Sequence, residues 1–114
     1  MPNPLGAERP LYEVKANLFK ALAHPVRVRI LEIVSATDEV SVSALINDVD
    51  IEPSHLSQHL AVLRRHNLVI SERRGSQVFY RATTSHVTEL LQVSRALLVE
   101  ALEHTLAQLH TATV

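Results

Sequence analysis

A chain of 114 residues with 46% apolar side chains and two glycines has the length of one domain and the makings of a packed core. It contains no cysteine, which excludes disulfides, thiolate metal sites and thiol nucleophiles. The net charge is −1, yet positions 53–81 hold five arginines against Glu72 alone, a local +4 of the kind a polyanion such as DNA asks for.

Residues 1–10, with three prolines and one glycine, read as a flexible arm ahead of a domain at 11–110, with 111–114 as a short tail. Leu11, Val14, Leu18, Phe19 and Leu22 recur at helical spacing and predict a first helix to about Ala23. Pro25 suits the first turn of a second helix through Val26, Val28, Ile30, Leu31, Ile33 and Val34 to Ser35. Residues 36–40 read as a polar connector. Ser41 or Ser43 can cap a short third helix through Leu45, Ile46 and Val49. After a turn at 50–52, Pro53 or Ser54 opens a fourth helix that ends near His66, and Asn67 can take the left-handed conformation that stops it.

Residues 68–73 and 77–81, rich in Val, Ile, Phe and Tyr, predict two strands joined by Arg74, Gly75 and Ser76. Ser85 can cap a last helix of about 25 residues. Its apolar positions Val87, Leu90, Leu91, Leu98, Leu102, Leu106 and Leu109 exceed what one small core can cover, and such a stripe marks an interface. The expected architecture is mainly α with a β-hairpin wing, in the order α-α-α-α-β-β-α: a winged helix-turn-helix. No apolar run approaches the ~18 residues that cross a bilayer, and the N-terminus lacks an export signal's basic flank and apolar core. A soluble cytoplasmic protein is expected, without membrane partners.

On the fourth helix, Leu56, Leu60 and Leu63 lie at i, i+4 and i+7 and face the core. Ser54, His55, Ser57, Gln58 and His59 crowd the N-terminal half, mostly on the other side, where they can meet base edges or phosphates in the major groove. Gln58 is suited to bidentate reading of adenine. Arg64 and Arg65 lie further along and suit the backbone, and Arg73, Arg74 and Gln77 flank the wing tip. A solvated polar face is the plain alternative for such a helix; charge segregation together with the element order favours DNA.

Three segments resemble the ArsR/SmtB family of winged-helix repressors: LFKALAHPVRVRILEIV (18–34), SHLSQHLAVLRRHNLV (54–69) and ERRGSQVFYRA (72–82). The second carries that family's Ser-x-His-Leu-x-x-Leu core at Ser57, His59, Leu60 and Leu63. Asn67 stands where the family more often has Gly, and it tolerates the same backbone. The resemblance implies a transcriptional repressor, a homodimer joined through its first and last helices, bound to an inverted-repeat DNA operator and released or retuned by an effector. Beside what the resemblance implies, a co-regulator protein is a further partner to expect.

One family subgroup binds soft metals through thiolates near the third helix. The matching positions here read Ser41, Val42 and Ser43, so thiolate sensing is unsupported. A second family pattern, Asp-x-His…His-x-x-Glu/His on paired C-terminal helices, falls on Thr84, His86, Leu97 and Glu100, so two of its four ligands remain. His86 and Glu100 share a helix face but lie ~21 Å apart along one helix. Across an antiparallel pair they can meet, with His104 one turn beyond, and such a set suits Ni²⁺, Zn²⁺ or Co²⁺. Ordinary solvent-facing residues answering no metal are the alternative, the regulator then answering another effector. No organic cofactor is expected.

The chain lacks a Gly-rich phosphate loop, HExxH and GxSxG, and Ser57 and His59 point to different sides of their helix. An enzyme is therefore not expected. A helical protein-interaction module would explain the terminal stripe but leaves the arginine-bearing wing without a role.

Overall fold

The computed structural model describes residues 9–112. Most of the arm expected at 1–10, and the last two residues of the tail, lie outside them. Five helices and a small sheet follow one another as α1 (Leu11–Leu22), α2 (Pro25–Ala36), β1 (Val40–Ser41), α3 (Val42–Val49), α4 (Pro53–Arg65), β2 (Val69–Arg74), β3 (Gln77–Ala82) and α5 (Ser85–Ala112).

Local chemistry sets most boundaries. Proline occupies the first turn of both α2 and α4, where a missing N–H costs nothing. The Ser41 hydroxyl accepts the Ala44 N–H at 3.1 Å and caps α3. Asp50 ends α3 in the left-handed region (φ 57°), its N–H returning to the Ile46 carbonyl. Asn67 does the same after α4 at φ 58°. There Leu68 N–H reaches the Leu63 carbonyl at 2.9 Å and Asn67 N–H the Arg64 carbonyl at 3.0 Å, the paired bonds of a Schellman stop. Thr84, not the Ser85 expected from sequence, caps α5: its hydroxyl accepts the His86 N–H at 3.2 Å, and Ser85 is already the first helical residue.

The wing is a two-residue hairpin, with Arg74 opposite Gln77. Gly75 takes φ 63° and Ser76 stays at negative φ, the pattern of a type II′ turn, whose twist matches the flanking strands. Part of the expected connector is a third strand: Val40 pairs with Tyr80 and Ser41 with Phe79, giving the sheet order β1-β3-β2. Two residues are too short to show period-two alternation. β1 exists because β3 has a free edge to offer it, not because of its own pattern.

The core lies between α2, α3, α4 and the sheet. Ile30, Leu31 and Val34 from α2, Leu45 from α3, and Leu56, Leu60 and Leu63 from α4 are all buried, joined by Leu68, Val69 and Tyr80 at the wing's base. Each such aliphatic side chain stabilises by about 1.5–3 kcal/mol. The three α4 leucines are the i, i+4, i+7 set expected, so the opposite face of α4 is fixed outward. Only the first turns of α5 join this core, through buried Val87 and half-buried Leu91. Every residue from 92 to 112 is exposed.

Candidate nucleic-acid interface

Core packing decides what α4 shows to solvent. With Leu56, Leu60 and Leu63 inward, Ser54, His55, Ser57 and Gln58 are exposed on the N-terminal half, and Arg64 and Arg65 at the C-terminal end. Small hydroxyls and an amide precede the longer cations, so the part of α4 that can approach base edges is slim and neutral. The arginines stand at the end, where phosphates would flank a groove. The Glu52 side chain makes no capping bond to this helix start.

His59 stands apart from the rest of the expected set. It is half-buried, turned into the junction between α4 and α2. Its ring lies 4.3 Å from that of His24, and its Nδ1 is 3.4 Å from Arg27 Nη1. Loss of hydration on burial, followed by the proximity of His24, Arg27 and His55, holds its pKa below the ordinary 6.5. His24 caps α2: its Nδ1 accepts the Val26 N–H at 3.1 Å at the helix start.

On the wing, Arg73, Arg74 and Gln77 are exposed near the tip. The two arginines differ. Arg74 is ion-paired to Glu39, just before β1, and its guanidinium lies 3.9 Å above the centre of the Phe79 ring. The hydrogen bond that Arg74 donates to the Glu39 carboxylate raises the Arg74 pKa further. Arg73 has no side-chain partner among the described residues. Sequence reading missed the Glu39 contact because the pair is 35 residues apart and becomes adjacent only when β1 docks on β3.

The expected metal-ligating residues His86, Glu100 and His104 are all exposed on α5. Among the described residues of a single chain, no three His, Asp or Glu side chains converge as a metal would require. His86 Nδ1 lies 3.5 Å from the Thr84 hydroxyl. No helix among the described residues is long and apolar enough to cross a membrane.

A helix whose polar face is held outward by its leucines, preceded by a tight turn and followed by an arginine-bearing hairpin, defines the class of winged helix-turn-helix DNA-binding proteins. A helix-turn-helix domain model matches residues 22–72. The HTH-type transcriptional regulator Rv0081 of Mycobacterium tuberculosis is 43% identical over 100 residues, 88% of either chain. Its crystal structure superimposes with a TM-score of 0.81, covering 86% of this chain and 98% of that one at 42% identity. The transcriptional activator HlyU of Vibrio cholerae is 34% identical over 107 residues, 89% of this chain and 98% of the relative. The biofilm growth-associated repressor of Agrobacterium fabrum is 36% identical over 94 residues, covering 82% and 80%. The solution structure of a homodimeric winged helix-turn-helix domain of Mycobacterium bovis, described as a possible ArsR-family regulator, matches with a TM-score of 0.74 at 29% identity, covering 82% and 86%. The chain belongs to the ArsR/SmtB family of helix-turn-helix transcriptional regulators. It is a DNA-binding regulator and not an enzyme.

Proposed function

We propose that this regulator works as a homodimer on an inverted-repeat operator and represses by occupying it. α4 of each subunit enters a major groove with Ser54, His55, Ser57 and Gln58 toward the bases and His59 at its inner edge. Arg64, Arg65, Arg73, Arg74 and Gln77 take the backbone. The observation that carries the reading is the mismatch between the two ends of the chain. The exposed face of α4 and the wing tip carry polar side chains, whereas the outer part of α5 leaves Leu97, Leu98, Leu102, Leu106 and Leu109 each more than half exposed. Leu11, Tyr12 and Phe19 on α1 are similarly bare. The radius of gyration, 17.6 Å, exceeds the ~13 Å of a globule this long. A second copy laid against α1 and α5 would cover those faces and set two α4 helices about a two-fold axis. The Mycobacterium bovis domain is described as homodimeric, which supports a dimer.

The test is binding to a duplex carrying the promoter region of the protein's own gene. Retardation that unlabelled random duplex competes poorly is expected; equal competition by random duplex would overturn the operator reading.

Metal response is a separable part of the proposal. The donor set His86, Glu100 and His104 suits Ni²⁺ or Zn²⁺, but it converges only between subunits, His86 of one with Glu100 and His104 of the other. Calorimetric titration of Ni²⁺ and Zn²⁺ should give saturable binding that His86→Ala weakens by more than the ~10-fold typical of losing an outer-shell partner. Equal, weak binding by wild type and variant would remove these residues from any effector site, leaving a regulator that answers something else.

A further inference from the structure

We infer that His24, Arg27 and His59 form a proton-sensitive junction that positions the recognition helix, so that α4 is held in its DNA-reading pose only while both imidazoles are neutral. The inference rests on the DNA-binding reading of α4 and adds to it a regulating condition.

The hydrogen bonds fix the protonation states. Arg27 can only donate. Its Nε donates to the Ala21 carbonyl at 2.6 Å and its Nη2 to the Lys20 carbonyl at 3.4 Å, so the guanidinium is anchored on the C-terminal end of α1. The remaining arm, Nη1, reaches His59 Nδ1 at 3.4 Å, and that nitrogen must therefore accept. His24 Nδ1 must also accept, because its partner is the Val26 backbone N–H. Both rings thus present a bare Nδ1 to an obligate donor, with their centres 4.3 Å apart. A proton on His59 Nδ1 would face a guanidinium, and one on His24 Nδ1 would remove the only side-chain cap of α2.

The charged and titratable groups facing His59 are His24 and Arg27 from α2 and His55 one turn earlier on α4. α1, packed against the same place, presents the carbonyls of Ala21 and Lys20. No carboxylate stands among these groups to stabilise an imidazolium, and the depressed His59 pKa agrees with that geometry. Because the fold favours neutral His59, its contribution to stability is complete above the ordinary value of 6.5 and is lost as pH falls from there through the folded value. The junction links α1, which carries exposed apolar residues, to α4 through α2. Arg27 and His24 act as positioning residues, through His59.

The test uses the full chain and two readouts. In the first, without DNA, the ring signals of His24 and His59 and the α4 amides are followed by NMR from about pH 8 to 5. His59 should titrate below the ordinary imidazole value of 6.5, and α4 amide shifts should follow its midpoint. A His59 midpoint at or above that value overturns the junction, whatever the protein does with DNA. The second readout is affinity for a labelled random-sequence duplex at constant salt, wild type against the double variant His24→Asn/His59→Asn. Asparagine keeps an acceptor near the place of Nδ1 and does not titrate. Relative to its own alkaline-end affinity, the wild type should lose about fivefold more at the acid end than the variant loses relative to its own, the scale of losing one helix cap. Parallel pH profiles overturn the positioning role, and absence of duplex binding by both proteins at every pH points instead to failure of the DNA reading.

Discussion

The two arginines at the wing tip show how little a charge count says about a contact. Arg74 is neutralised by Glu39 and lies over Phe79, so a phosphate must displace a carboxylate to use it. Arg73, beside it, is free of such a partner among the described residues. Exposed ion pairs contribute little, about 0–1 kcal/mol, but that is enough to separate neighbouring residues in a binding assay. Arg73→Ala should therefore lower duplex affinity more than Arg74→Ala, and should reduce the slope of log affinity against log salt by about 0.9. Anisotropy measured over a salt series checks this. Indistinguishable slopes for the two variants would mean that Glu39 does not hold Arg74 in solution. Gln58 works differently, since any effect it has belongs to base identity and not to salt.

At the scale of the element, α4 and its stop are the most locally determined part of the molecule. Asn67 holds φ 58° in a Schellman stop that turns the chain from α4 into β2. Asn67→Gly should leave stability unchanged or slightly raised, whereas a β-branched Asn67→Val should cost about 1–2 kcal/mol, because its Cβ opposes the left-handed backbone. Thermal unfolding of the two variants distinguishes them; a harmless valine would mean the stop is set elsewhere. This segment was legible in the sequence because its signals lie within a few residues of one another: proline at the start, leucines at i, i+4 and i+7, and Asn at the end. The hairpin was legible for the same reason, through Gly75. What escaped was non-local. β1 depends on the free edge of β3, Glu39 meets Arg74 across 35 residues, and His59 meets Arg27 across 32. A polar residue on a polar stretch gives no sign that its ring is turned inward, so His59 read as one more groove-facing side chain. Thr84 displaced Ser85 as the cap of α5 for a smaller reason: adjacent hydroxyl residues both fit an N-cap, and only the backbone decides which precedes the helix.

The whole molecule is unbalanced as a single chain. α5 has 28 residues, a rod of ~42 Å, and its residues 92–112 are all exposed. Leu97, Leu98, Leu102, Leu106 and Leu109 of α5 and Leu11 of α1 are exposed in the single chain, and in the proposed dimer their burial would make stability rise with protein concentration as mass action requires. In the proposed dimer the same partner would fix how far apart two α4 helices and two wings stand, turning a weakly basic face into a ruler for one DNA repeat. The most direct measurement is the mass of the protein–DNA complex, by sedimentation of a labelled promoter duplex titrated with the full chain. Two chains per duplex, bound together without a one-chain species, is the predicted result. A complex holding a single chain, or free protein that stays monomeric at micromolar concentration, would contradict the account.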